Sequence, residues 1–237
     1  MEEYFILAAA IFLGFFIQAI TGFSAALFAL PLMLLILDLQ ESMAILSVLL
    51  VLFSILEVYN TRKSINRKIF KELIVWTIIG IAIGIYMLNY GNQTFLKKIL
   101  GFLILGYVGY NFIQKRRMKS LNRYGPFFGV VSGFFSGAFA SGGSILALYL
   151  NNKLTKARNI RATIIGVLAI SNFSRVPFMV YSDILTYDIF MKSIFLLPVF
   201  FIALYFGKRS FDKMNDQFFR NSIMFLLLLS GISLIFG

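Results

Sequence analysis

Apolar segments long enough to cross a membrane recur along the whole chain. A helix needs about 20 apolar residues to span the hydrocarbon core of a bilayer. The segments are 4–37, 42–59, 73–90, 96–114, 124–150, 162–181, 189–206 and 217–236. With 59% hydrophobic and 14% charged residues, the chain is far more apolar than a water-soluble domain. The strict alternation of an outer-membrane barrel is missing. The sequence therefore predicts an all-α polytopic membrane protein with the lipid bilayer as its partner.

Two of these segments are interrupted by short stretches rich in glycine and serine. The first break covers residues 18–24 and the second covers residues 136–144. Non-helical backbone at membrane depth survives only where it is buried in protein or lines a polar cavity. Each interrupted segment is long for one crossing and short for two. We therefore predict that each is a broken-helix hairpin, made of two half-length helices that meet near mid-membrane.

The positions of lysine and arginine favour these hairpins. If every segment crossed once, the loops on the two sides would hold 11 and 10 Lys and Arg, without the bias that marks the cytoplasmic side. If 4–37 and 124–150 each return to the side they entered from, one side holds 18 and the other holds 3. The 18 lie in loops 60–72, 115–124, 151–161 and 207–220. The sequence thus predicts a multi-pass protein of the cytoplasmic membrane with both termini outside.

This arrangement predicts an inverted repeat. Each half contains a hairpin followed by three full transmembrane helices, an odd number of crossings, so the second half is inserted upside down. The predicted units are 1–114, a cytoplasmic linker at 115–123, and 124–237. At an offset of 119 residues, Gly14-Phe15-Phe16 aligns with Gly133-Phe134-Phe135. Glycines spaced four apart, at 80 and 84 and at 129, 133 and 137, predict close helix packing.

The two breaks predict a binding site for a small anion. A helix that begins near mid-membrane points free N–H groups and the positive end of its dipole into the protein. Two such hairpins facing each other would build one cavity, as in other inverted-repeat transporters. The candidates carry hydroxyl donors, an amide or glycines that permit close backbone approach. They are Gln18, Thr21, Gly22 and Ser24 in the first break and Ser141, Gly142, Gly143 and Ser144 in the second.

Arg175 is the one basic residue deep within a predicted span. Ionisable groups inside a membrane are costly and are often functional, which makes Arg175 a candidate ligand for the anion. The alternative is that Arg175 lies near the outer interface and extends its charge into water, helped by Pro177 breaking the helix. Asn172, one turn earlier, either lines the same cavity or makes a hydrogen bond between helices.

Composition excludes several other classes of function. The chain has no cysteine and no histidine, so thiol chemistry and Cys/His zinc sites are excluded and neither cofactor nor metal is expected. Without histidine, cysteine or a buried carboxylate pair, we expect no enzyme activity. The net charge of +12 arises from topology-setting loops rather than from a nucleic-acid interface.

The residues of the two breaks resemble the sulfite exporter TauE/SafE family. Gln18-Ala19-Ile20-Thr21-Gly22-Phe23-Ser24 is similar to the family pattern Q-x-x-T-G-F-G, with serine in place of the last glycine. Residues 133–144 are similar to G-x-x-S-G-x-x-x-x-G-G-P-P, with Ser144-Ile145 in place of the prolines. The resemblance implies transport of sulfite, sulfonates, sulfoacetate or related small anions, mostly outward. A passive anion channel, a role in membrane assembly and a homodimer stay open at this point.

Overall fold

Helices form nearly all of the chain that the structure, a computed structural model, describes: residues 2–21, 24–113, 124–210, 227–229 and 231–235. The predicted linker 115–123 and most of the predicted span 217–236 lie outside these residues. The all-α class is confirmed for the described part. The principal helices are α1 (Glu2–Thr21), α2 (Ala26–Met33), α3 (Leu39–Thr61), α4 (Arg67–Tyr90), α5 (Gln93–Ile113), α6 (Gly125–Phe139), α7 (Gly143–Lys153), α8 (Ala157–Tyr181), α9 (Tyr187–Phe195) and α10 (Leu197–Ser210).

Four helical stretches of the described chain are long and apolar enough to cross a membrane. They are Glu3–Ile20, Leu39–Ser64, Arg67–Tyr90 and Arg158–Tyr181. Helices α9 and α10 make a fifth if they are taken as one span with a bend of 44°. The sequence predicted one span over 189–206, and the structure adds a bend at Leu196 within it. Pro198 has no N–H to donate to the carbonyl four residues earlier, at Ile194, which interrupts the helical ladder at this point.

The first break forms a turn between α1 and α2. Ser24 has a positive φ of 27°, in the left-handed half of conformational space. Helix α2 then packs back against α1, where Gly14 leaves room: a Cβ there would lie 2.9 Å from the carbonyl oxygen of Ala25. The arms contain 20 and 8 residues. The expectation of two half-length helices is therefore wrong for α1, which is as long as a full span.

The second break forms a turn between α6 and α7, whose lengths are 15 and 11 residues. Helix α6 ends with Ala140 in the left-handed conformation at φ 51°. The Ser141 N–H donates to the carbonyl of Phe135 at 3.1 Å, and the Ala140 N–H donates to that of Ser136 at 3.0 Å. This is the helix ending that glycine usually provides. The chain thus reverses at Ala140, two residues before the paired glycines.

In the second hairpin, the start of α6 lies close to the end of α7. At the start of α6, a Cβ on Gly125 would lie 2.1 Å from Glu72 Oε1. At the end of α7, Lys153 Nζ contacts Glu72 Oε2 at 3.0 Å. Tyr149 also donates its hydroxyl to Glu72 Oε1 at 3.1 Å. Helices α6 and α7 therefore enter and leave at one end of the bundle, beside the start of α4.

The first hairpin opens at the opposite end. Tyr4, at the start of α1, lies on the same side of the molecule as Lys192. Lys192 Nζ contacts Glu41 Oε1 at 2.6 Å at the start of α3, which follows α2. The neighbouring Gln40 donates to the carbonyls of Leu88 and Asn89, at the end of α4. The open side of the second hairpin lies beside Glu72, at the start of α4, whereas that of the first lies beside the end of α4. The open sides of the two hairpins therefore face opposite ends of the molecule.

Ion pairs bring three of the basic segments to one end of the bundle. Glu57, near the end of α3, faces Arg161 at the start of α8 at 3.8 Å. It also faces Lys208 at the end of α10 at 3.4 Å. The hairpin arrangement requires these helix ends to lie together, whereas single crossings would place Arg161 and Lys208 opposite residues 60–72. We call this the basic end.

Close glycine packing fixes α6 against α4. A Cβ on Gly133 would lie 2.1 Å from the carbonyl oxygen of Thr77, and one on Gly80 would lie 2.1 Å from that of Val130. Gly84 and Gly137 approach each other in the same way one turn further along. The small-residue packing predicted from the sequence is confirmed at these positions. The backbones of α6 and α4 are therefore in direct contact, and a side chain larger than that of glycine does not fit between them.

Candidate functional site

A small cavity lies where the two breaks meet α3 and α8. Its volume is about 20 Å³, enough for about one water molecule. Its lining includes Gln18 and Ser24 of the first break and Ala140 of the second, which places both breaks at one cavity. We call it the central cavity. The other residues lining it are Leu50, Phe53, Ser54, Ile165, Leu168 and Asn172.

The first break contributes one polar side chain that forms a hydrogen bond within the protein and one that does not. The Oε1 atom of buried Gln18 accepts from the Ala25 N–H at 3.1 Å and so satisfies the start of α2. The hydroxyl of Ser24 is buried and has no hydrogen-bond partner among the described residues. Gly22 lies outside the described residues, and of Thr21 only the backbone at the end of α1 is described. Ser24 is thus the described hydroxyl of this break that is free for a ligand.

Some of the polar groups of the second break form hydrogen bonds within the break. The Ser144 hydroxyl donates to the Ser141 carbonyl at 3.0 Å, so its hydrogen is used locally. The Ser141 hydroxyl, by contrast, is fully buried and has no hydrogen-bond partner in the part of the chain that the structure describes. Gly143 is buried at the first position of α7. Ser141 is therefore the better donor of the two predicted serines.

Gly142 serves the packing of the hairpin. A Cβ there would lie 2.3 Å from the Ser132 carbonyl oxygen and 2.4 Å from Ser136 Oγ. The Ser132 hydroxyl also donates to the Gly142 carbonyl at 3.0 Å. The absence of a side chain at this position is therefore explained by the approach of α6, without a substrate. Ser136 Oγ itself is buried, and no described residue forms a hydrogen bond with it.

Arg175 is buried with most of its donors unused. Its side chain is 1% exposed, so the interpretation that it reaches water at the membrane surface is wrong. Helix α8 continues through Pro177 to Tyr181. The Nη2 atom donates to Asn172 Oδ1. Nε and Nη1 have no partner, and no ion pair to Arg175 occurs in the described part of the chain.

Asn172 links Arg175 to the central cavity and to α3. Its Nδ2 donates to Ser54 Oγ at 2.8 Å and to the Leu50 carbonyl at 3.4 Å. Asn172 lines the central cavity and also makes the hydrogen bond between helices that the sequence allowed for. Its oxygen is oriented toward Arg175 because its nitrogen is held by α3.

Sequence reasoning missed the contribution of α3. Ser54 lines the central cavity and accepts from Asn172, and its own hydroxyl donates to the Leu50 carbonyl at 2.7 Å. The available signal was spacing, because Ser47 and Ser54 lie two helical turns apart in an otherwise apolar run. Both are buried. Two polar residues on one face of an apolar helix indicate a face turned toward the protein interior.

The unused groups around the breaks are hydrogen-bond donors. They are the hydroxyls of Ser24, Ser136 and Ser141 and the Nε and Nη1 atoms of Arg175. The described acidic residue nearest this region along α3, Glu57, is paired with Arg161 and Lys208 at the basic end. Of these groups, Ser24 lines the central cavity, and Arg175 reaches it through Asn172. A guanidinium and hydroxyl donors are groups that suit an oxyanion, which accepts several hydrogen bonds and neutralises the charge.

Comparison with known proteins agrees with this chemistry. The model of the sulfite exporter TauE/SafE family matches residues 6–234, nearly the whole chain. No curated protein and no solved structure matches the chain. The family match and the apolar helices indicate a multi-pass membrane transporter of anions. The chain belongs to the sulfite exporter TauE/SafE family.

Proposed function

We propose that the protein carries a small anion of the sulfite, sulfonate or sulfoacetate class out of the cell, binding it at mid-membrane between the two hairpin breaks. The site centres on Arg175, Asn172 and the hydroxyls of Ser24 and Ser141. Thr21 and Gly22 of the first break belong to the same proposal. Gln18, Gly142, Gly143 and Ser144 shape the site.

Buried Arg175 is the observation that carries this proposal. A charged group removed from water loses several kcal/mol of solvation unless a partner replaces it. Asn172 supplies one neutral acceptor, while Nε and Nη1 have none. A bound oxyanion would accept from these donors and supply the missing charge. Buried Arg175 thus lowers the stability of the fold but gives a transporter a positive charge that can bind an anion.

We also propose that residues 1–114 and 124–237 are inverted repeats. The opposite openings of the α1–α2 and α6–α7 hairpins support this, since two repeats of opposite orientation place their hairpins that way. The basic end, with Arg161 and Lys208, is then cytoplasmic by the positive-inside rule. The α1 terminus lies at the opposite end and is outside.

Export is favoured by the membrane potential alone. Moving one negative charge out of a cell that is negative inside yields about 2.3 kcal/mol per 100 mV. Among the described spans, Glu41, Glu57 and Glu72 are paired with basic residues, and the two carboxylates without an ion pair, Glu3 and Asp188, are exposed at helix ends. Outward flux of a monovalent anion therefore needs no coupling ion in this proposal.

The size of the central cavity favours a carrier over an open channel. With a volume of about 20 Å³, it holds about one water molecule and is too small for a sulfonate. Helices around it must move to admit the substrate. A carrier makes such a movement in each cycle, whereas a channel needs a continuous wet pore.

Flux into proteoliposomes tests the proposal. Labelled sulfite and small sulfonates are offered under an imposed potential, with empty liposomes as the control. We expect saturable, potential-sensitive uptake that shows counterflow. Flux that rises linearly with concentration supports the channel instead. Folded protein without flux of any of these anions contradicts the proposal, and accumulation against the potential that requires a proton or sodium gradient contradicts uncoupled export.

A further inference from the structure

We propose that the basic end holds a second anion site, made by Arg158 and Arg161, and that Glu57 closes the passage from this site to Arg175. The inference rests on the proposed function, because it takes the same small anion as the ligand. It concerns a separate cavity and the ion pairs around it.

The second cavity, which we call the outer cavity, lies between the end of α3 and the start of α8. Its volume is about 270 Å³, far larger than the central cavity. Arg158 makes no ion pair with any described residue, and Arg161 shares Glu57 with Lys208. The cations around the cavity therefore outnumber its one carboxylate. The residues lining it are Glu57, Asn60, Thr61, Ser64, Arg158, Arg161 and Ala162.

The two cavities follow one another along the same helix interface. On α8, Arg161 and Ala162 line the outer cavity, and Ile165 and Leu168 line the central one. The series 161, 165, 168, 172 and 175 has the spacing of one helix face. On α3, Glu57 lines the outer cavity, and Ser54, one turn further, lines the central one. A single face of α8 thus leads from the basic end to Arg175.

Glu57 lies between the two cavities, where its negative charge repels an anion. The residue is 7% exposed, and its two carboxylate oxygens face Arg161 and Lys208. These pairs join α3 to α8 and α10 beside the outer cavity, one helical turn from Ser54 of the central cavity. An anion bound at Arg158 and Arg161 competes with Glu57 for Arg161. Binding in the outer site therefore weakens the pairs that close the passage.

The natural absence of cysteine allows a direct test. A cysteine replacing Ile165, which lines the central cavity, reports access beyond Glu57. The probe is a membrane-impermeant, negatively charged sulfonatoethyl thiosulfonate applied from the basic side of reconstituted protein. With Glu57→Gln we expect labelling about tenfold faster, since a charge-assisted contact contributes on this scale.

Matched variants separate gating from a general loss of charge. Glu72→Gln removes a carboxylate that pairs with Lys153 at the same end, and Glu41→Gln removes one that pairs with Lys192 at the other end. Neither should accelerate labelling from the basic side. Lys208→Gln, at a half-exposed side chain, weakens the same gate without disturbing the interior and should accelerate labelling even if Glu57→Gln folds poorly.

The anion site has its own readout. Arg158→Gln should slow labelling by the anionic reagent about threefold and leave a cationic thiosulfonate unaffected or faster, because a local positive charge concentrates anions. Lys68→Gln, at the same end but away from the cavity, is the control. Equal labelling rates in native, Glu57→Gln and Lys208→Gln protein overturn the gate, and equal reagent preference in native and Arg158→Gln protein overturns the site. Labelling does not require transport, so these outcomes are distinct from a failure of the flux assay.

Discussion

Asn172 holds the guanidinium of Arg175 through its Oδ1 atom while its Nδ2 atom donates to Ser54 Oγ on the neighbouring helix at 2.8 Å. The amide is thereby oriented from α3, and the acceptor that it offers Arg175 is neutral. A neutral acceptor fixes the position of the guanidinium but leaves its charge uncompensated. The geometry keeps Arg175 in place and available to an anion.

Asn172→Asp should stabilise the protein and abolish transport. A carboxylate at this position gives Arg175 an internal counter-charge, which we expect to raise Tm by about 3 °C, or about 1 kcal/mol. The same carboxylate competes with the substrate, so flux should fall at least about 30-fold, the equivalent of about 2 kcal/mol. Thermal unfolding in detergent and sulfite flux in proteoliposomes measure the two effects.

Asn172→Leu is the matched control for that variant. It removes the amide without adding charge, so Arg175 loses its one acceptor and Tm should fall. Native flux in Asn172→Asp protein would contradict the view that Arg175 needs a free positive charge.

Gly133→Ala should destabilise the α4–α6 contact. The added methyl group would lie 2.1 Å from the Thr77 carbonyl, so the helices must separate. Overpacking of this kind costs about 1–3 kcal/mol. At Gly106 in α5, an added methyl group would have no described atom within 4 Å. Gly106→Ala should therefore raise stability by up to about 1 kcal/mol through helix propensity. Equal Tm values for the two variants would contradict the packing argument.

Single cysteines should report which loops share a side of the membrane. Lys63→Cys and Lys156→Cys lie near the basic end, and Thr94→Cys and Asp188→Cys lie at the other. An impermeant maleimide added to intact cells should react with the second pair, and with the first pair only after the membrane is opened. Labelling of positions 63 and 156 from opposite sides would contradict the hairpins.

Much of the fold follows from apolar length and from the positions of lysine and arginine. Segment lengths located α3, α4 and α8, and the charge count grouped the ends of α3, α8 and α10, which Glu57 joins. These features are local or depend on water and lipid, so they are visible in the sequence. The bend at Leu196 also has a local signal, in Pro198.

The turning points and the details of the site depend on tertiary packing. In the described part of the two breaks, the residues with positive φ are Ser24 and Ala140. Gly142 is not the turning point of the second break, because it is needed against Ser132. The burial of Arg175 depends on how α8 is rotated against α3, which one helix alone does not determine. The break sequences predicted Ser24 and Ser141, whereas Ser54 became visible only once α3 was placed beside Asn172.

Sulfite flux in native and Arg175→Gln protein, measured together with Tm, tests the central claim most directly. Glutamine keeps a hydrogen bond to Asn172 and removes the buried charge, so we predict an unchanged or higher Tm. We predict that flux falls at least about 100-fold. The stabilisation that saturating sulfite gives the native protein should also be lost. Arg209→Gln, at the end of α10, is the control and should transport normally. Native flux and native stabilisation by sulfite in Arg175→Gln protein would contradict the claim that this arginine binds the transported anion.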